Sequence, residues 1–226
     1  MINKGRKQWW KVSLMVVVVA ICVSLVGSVT YAEDTVQTLS EHIIRLHIVA
    51  NSDTDIDQEV KLKVRDAVLE YLSDKVDLKN STEETASIIK EELQNLQKIA
   101  ATVLEQNGHV GKAVAEFGLF PFPTKEYDAI TLPAGTYNAL RITLGEGVGQ
   151  NWWCVVFPPL CFADSQNGTM RAETDDKLKE TLPAEQYDLI TTTDQDTLPV
   201  KFKFKVVEVV EETKHTISKW WDSIFS

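Results

Sequence analysis

Val12 to Val29 form an uncharged, mostly apolar run, VSLMVVVVAICVSLVGSV, that a water-soluble domain could not leave on its surface. Lys4, Arg6, Lys7 and Lys11 stand before it with no acidic residue among them, and Thr30-Tyr31-Ala32 follows, ending on a small residue. A positive start, an apolar middle and a small-residue exit are the three parts of a secretory signal. The positive charges stay on the cytoplasmic side, so the segment engages a membrane and the chain beyond Ala32 is delivered across it. As a helix the run would be about 27 Å long at ~1.5 Å per residue. That approaches the ~30 Å of a bilayer core, so a retained anchor competes with cleavage between Ala32 and Glu33. Cleavage is the favoured reading. A buried core helix is disfavoured, because the run has no polar face. Globular structure is therefore expected only from residue 33 onward.

Residues 1–32 hold four of the 23 basic residues and none of the 33 acidic ones, so the remainder has 19 against 33, a net charge of −14. Such a surface repels nucleic acid and anionic lipid, which argues against a polyanionic partner. Cys22 lies inside the apolar run, leaving Cys154 and Cys161 in a compartment where disulfides persist. A bridge between them would close a short loop over Pro158 and Pro159, worth about 2–3 kcal/mol at most in the chain-entropy picture. Two free buried cysteines and a reactive thiol are the alternatives.

The periodicities read as an α+β domain over residues 33–209, followed by an amphipathic helix over 210–226. Residues 33–41 are polar and read as a mobile tether. Ile43–Ala50 alternates Ile44, Leu46 and Ile48 against Arg45 and His47, a half-buried strand. Asn51-Ser52-Asp53 breaks it and offers N-cap chemistry for a helix reaching about Leu72, with Asp53, Asp55 and Asp57 suiting its first turn. Ser81 and Glu84 form a capping box for a second helix from Glu83 to Asn107, which Gly108 ends. The back half reads as an antiparallel β unit. Lys112–Phe117 is a strand, Phe120-Pro121-Phe122-Pro123 a rigid loop, and Thr136–Leu144 a second strand. Gly145, Gly147 and Gly149 make a hairpin connection into Trp152–Phe157. A short helix is expected around Glu173–Thr181 and a one-sided strand over Val200–Val209. The last helix, with Ile217, Trp220, Trp221 and Ile224 on one face, could dock on its own domain, on a partner or on a membrane, and its mixed polar face disfavours the membrane.

No reaction is legible. His42, His47, His109 and His215 are scattered, with no HExxH or CxxC, so no metal is expected. Gly145-Glu146-Gly147-Val148-Gly149 lacks the Lys-Ser/Thr and the helix of a phosphate loop, and no GxSxG occurs. A thiol hydrolase using Cys154 or Cys161 with His47 rests on residue types alone. No catalytic residue and no cofactor are assigned. The unusual segment is Trp152–Phe162, WWCVVFPPLCF. Either it is the core strand of the β unit, or Trp152, Trp153, Phe157, Pro158, Pro159 and Phe162 grip a partner, as aromatic side chains on a pre-bent loop do well.

Arg45-Leu-His-Ile-Val-Ala-Asn-Ser-Asp53 with Lys61-Leu-Lys-Val-Arg-Asp-Ala-Val-Leu69, then Phe122-Pro-Thr-Lys125, Leu132-Pro-Ala-Gly135-Thr-Tyr-Asn-Ala-Leu-Arg141 and Asn151–Phe162 carry a resemblance. In order and spacing, over roughly residues 40–165, the chain resembles the stage II sporulation protein R family. The resemblance implies a non-enzymatic signalling protein of endospore-forming bacteria, made in the forespore and exported into the space between the two septal membranes. There it is needed for a membrane-embedded aspartic protease of the mother cell to cleave the sigma-E precursor. The family supplies no catalytic residues. The competing readings are an extracytoplasmic thiol hydrolase and a structural envelope protein.

Overall fold

β1 (Ile44–Val49) is the strand around which the rest is arranged. In the computed structural model, which describes residues 14–20, 35–109, 111–127, 130–160 and 172–191, it lies inside a four-stranded sheet of order β2-β5-β1-β6. The other members are β2 (Ala113–Phe122), β5 (Gly135–Leu144) and β6 (Asn151–Phe157), while β3 (Lys125–Tyr127) and β4 (Ile130–Leu132) pair with each other. β1 runs parallel to β5 and antiparallel to β6, and β2 runs antiparallel to β5. The fold is α+β with a mixed sheet.

Both faces of β1 are covered, and the alternation of its residues sorts two cores. Ile44, Leu46 and Ile48 face Val60, Val64, Val68 and Leu72 of α2 (Asp55–Ser73), Ile89 of α3 (Thr82–Glu91) and Leu96, Ala100 and Leu104 of α4 (Leu93–Gln106). The second core gathers Leu39, Phe122, Ile130, Leu132, Tyr137, Ala139, Val155, Leu178, Leu182 and Ile190. Those residues come from α1 (residues 35–42), the β3–β4 pair, the sheet, α5 (Ala172–Thr181), α6 (Ala184–Thr191) and, for Leu182, the link between these two helices. Arg45 and His47 point into this second layer and are only 0% and 9% exposed. The strand is therefore buried on both sides, not half-buried.

Other expectations change for local reasons. Residues 35–42 are helical, not a tether, because Leu39 is drawn into the second core. The long second helix is interrupted at Glu92, though its N–H still bonds Ile88 O (3.0 Å) and its carbonyl accepts Leu96 N–H (2.9 Å). The Glu92 carboxylate there is held down to about 2 by Lys75, Tyr71 and Asn95, which all donate to it. β2 continues through Pro121 to Phe122, where a loop was expected. Among the described strands β2 is an edge, so a residue without an N–H interrupts no central ladder. Thr54 caps α2, accepting from Asp57 N–H, in place of Asn51-Ser52-Asp53. The capping box of Ser81 and Glu84 and the helix at Ala172–Thr181 form as expected.

The glycine segment 145–149 is not a hairpin. β5 and β6 are not neighbours, since β1 lies between them, so the segment crosses the end of β1. The strand expected over Val200–Val209, the helix over 210–226, and Ala32 and Glu33 lie outside the described residues. Of the Val12–Val29 run only residues 14–20 are described, and these are helical. Among the described residues no helix is long and apolar enough to cross a membrane.

Candidate functional site

β6 places the two tryptophans on opposite sides of the sheet, as its pleat requires. Trp152 packs beside the helix-covered core, with the Arg65 guanidinium 4.3 Å from its ring centre and its indole N–H unpartnered. Trp153 faces the second core and stacks on His47, ring centres 3.9 Å apart at 18°. Both are half-buried. Phe157 is fully buried against Ile44, Pro158 is buried and Pro159 half-buried. The candidate contact thus splits into an accessible start, Asn151–Trp153, and a buried end. Phe162 and Cys161 lie outside the described residues.

His47 donates through Nε2 to Asn151 Oδ1 at 2.7 Å, while its Nδ1 is buried without a partner. Burial pushes its pKa down, the Asn151 bond opposes this, and the nearby charges of Arg141 and Arg45 push it further down. A neutral ring lying flat on indole is the result. Cys154 sits opposite Leu46, on the helix-covered face, whereas His47 opposes Trp153 on the other. The imidazole and this sulfur are therefore separated by the sheet, and no Cys154–His47 dyad forms.

Arg45, two residues before His47 on the same face, is enclosed by aromatic rings. Its guanidinium carbon lies 4.1 Å from the centre of Phe122, 4.8 Å from Tyr137 and 5.9 Å from Tyr127. Nη2 donates to Tyr127 Oη at 2.7 Å, and Nε and Nη1 have no acceptor. The hydrogen-bonded ring is 82 residues away in sequence. Nothing in the local pattern announces that pairing beyond the placement of Arg45 on an apparently outward strand face.

A second polar cluster forms where β1 ends. Asp57, 5% exposed, accepts from Ser52 Oγ and from Asn51 Nδ2 (2.9 Å), and its Oδ1 lies 3.2 Å from His109 Nδ1. Those bonds hold the Asp57 carboxyl below the usual range, Ser52 first, then Asn51, against the cost of burial. A depressed folded value contributes stability above the unfolded value of ~3.9, which is lost as the pH falls through the folded one. Asp57→Asn is therefore expected to cost about 2 kcal/mol at neutral pH, the scale of hydrogen bonds to a charged group. The gap should close below that window, as read by urea unfolding at both pH values. A gap that stays constant with pH would refute the ionised role. Among the described residues no cluster of three or more His, Cys, Asp or Glu could hold a metal ion.

The comparisons with known proteins follow the same stretch. A family model described as stage II sporulation protein R matches residues 40–167, from the end of α1 past β6. Stage II sporulation protein R of Bacillus subtilis (strain 168) is 42% identical over 146 residues, which span 65% of this chain and 65% of that relative's own length. No solved structure matches. With the matched region taking in the whole four-stranded sheet, the chain belongs to the stage II sporulation protein R family, a family of sporulation proteins.

Proposed function

We propose that this chain is an exported, non-enzymatic signal of sporulation that activates a membrane-embedded aspartic protease of the mother cell, so that the sigma-E precursor is processed. Export follows from the N-terminal segment and places the domain in the septal intermembrane space. The observation that carries the reading is the family match over residues 40–167, with Trp152 and Trp153 accessible at the start of β6 within it. The proposal includes a Cys154–Cys161 bridge. In its support, Cys154 is disulfide-bonded and buried, and a bonded sulfur is no nucleophile, which speaks against the hydrolase reading.

A photocrosslinker in place of Trp153 in sporulating cells is expected to capture the protease. A crosslinker in place of Glu70, on α2, serves as the control position. Capture of nothing from position 153, in cells that still complete sigma-E processing, would count decisively against contact at this face.

A further inference from the structure

β1 and β5 run side by side in parallel and end together, at Val49 and Leu144. In open α/β sheets ligands collect beyond the carboxyl ends of parallel strands. At that end this chain has a cleft of about 450 Å³ lined by Asn51, Leu104, His109, Lys112, Gly145 and Glu146, together with Gly111. Its size suits a small polar group.

The walls are fixed independently of any ligand. Gly145 turns the chain with φ +56°, and a Cβ on it would strike Asn51 Oδ1, the atom that accepts Glu146 N–H at 3.0 Å. Gly145 N–H in turn donates to Lys112 O at 2.9 Å, which seats Lys112 at the cleft. On the opposite wall the turn after α4 passes through Gly108, with φ 75°, and His109 N–H closes the cap on Leu104 O at 3.0 Å. The cap swings the imidazole over α2 until Nδ1 meets Asp57. Asp57 is itself anchored by Ser52 and Asn51, so the ring is oriented from behind, as carboxylates orient functional histidines. With Nδ1 committed to Asp57, Nε2 is the nitrogen left for the cleft. Lys112 is exposed and has no hydrogen bond or ion pair to a described residue, although its carbonyl is tied. The remaining charge at the cleft is the exposed carboxylate of Glu146.

We propose that this cleft is a binding site for a carboxylate group, received by His109 Nε2–H and Lys112 Nζ. Charge-assisted donors of this kind recognise oxyanions, and Glu146 at the rim disfavours a doubly charged one. None of this depends on the protease reading, since the site lies at the end of the sheet and uses no residue of the Trp152–Phe162 segment.

The test uses the full chain in a non-ionic maltoside detergent, with ¹⁵N-glycine labels reporting from Gly111 and Gly145. Sodium acetate, ionised at about pH 6, is the ligand titrated. Sodium chloride is the control at an ionic strength of about 0.1 M, which screens charges more than ~10 Å apart. Acetate is expected to shift both amides saturably and chloride not to. Lys112→Gln, at an exposed position, is expected to weaken acetate about tenfold, the equivalent of ~1.4 kcal/mol, with an unchanged thermal midpoint. His109→Gln, which also gives up the contact with Asp57, is expected to weaken acetate as much with a lowered midpoint. Inorganic sulfate, which is doubly charged at this pH, is expected to bind more weakly than acetate. Shifts that do not saturate, that chloride reproduces, or that survive unchanged in both variants would overturn the proposal. Tighter binding of sulfate than acetate would overturn the role given to Glu146.

Discussion

Gly149→Ala is expected to be among the most damaging single-methyl substitutions in this chain. A Cβ at that position would lie 2.2 Å from the carbonyl oxygen of Ser52, 2.5 Å from its carbon and 2.9 Å from its Cα. Those are backbone atoms, and neither side can retreat. Gly149 N–H donates to Ala50 O at 3.0 Å, and Gln150 N–H donates to Asp53 Oδ1 at 2.7 Å. Ser52 O accepts from Gln58 Nε2 at 2.8 Å, and Lys61 Nζ donates to Gln150 O at 3.1 Å. Overpacking against yielding side chains costs about 1–3 kcal/mol, and a clamped backbone belongs at or above the top of that range. A loss of about 3 kcal/mol lowers the midpoint of a domain of this size by about 6–12 °C. Gly118→Ala is the matched control, since its Cβ would first meet the Phe120 ring at 3.7 Å, an ordinary contact. Thermal melts of the two variants followed by circular dichroism should separate clearly. Coincident melts would mean that the crossing over β1 is not held as described.

Arg45 gives the second large effect, and it depends on the replacement. The side chain is fully buried, with one hydrogen bond to Tyr127 and two nitrogens unsatisfied. Desolvating a cation costs several kcal/mol, and contacts with ring faces return about 2 kcal/mol or more when the pair is dry. Without a carboxylate beside it among the described residues, the desolvation cost should win. Arg45→Met keeps the length of the side chain and removes the charge, so it is expected to match or exceed wild-type stability, by up to about 4 kcal/mol. Arg45→Ala leaves a hole among Phe122, Tyr127 and Tyr137 and should fall about 2–5 kcal/mol below Arg45→Met. Urea unfolding with unchanged m-values measures both. If Arg45→Met proves less stable than wild type by more than ~2 kcal/mol, the ring contacts outweigh burial of the charge.

These two sites show why part of the fold was legible and part was not. The helix over Asp55–Ser73 and the capping box at Ser81 follow from short-range periodicity and hydrogen bonding, which a sequence carries directly. The alternation of Tyr137, Ala139, Arg141 and Thr143 against Leu140, Ile142 and Leu144 likewise sorts β5 between the two cores. What misled was the meaning of a polar residue on a strand. Arg45 and His47 read as an outward face, and the structure buries them under a layer contributed by residues 35–42, 120–127, 130–132 and 173–191. The hairpin expected through Gly145–Gly149 fails for a related reason. A flexible glycine run reads the same whether it joins neighbouring strands or crosses a third.

The site divides in the same way. His109 looked like an isolated histidine, and Asp57 looked like one of three acids complementing a helix dipole. Only folding brings their side chains to 3.2 Å, because the cap at Gly108 and the start of α2 meet at the end of β1. By itself the sequence determined the helix over Asp55–Ser73, the capped helix start at Ser81, the strands β1, β5 and β6, the family motifs and the separation of an apolar N-terminal run from an acidic domain, because these are encoded in composition and short spacing. The tertiary structure alone decided that β1 lies between β5 and β6, which of its faces are dry, and which residues distant in sequence share the cleft. Strand order and burial are set by long-range packing, and no local window of residues contains that information.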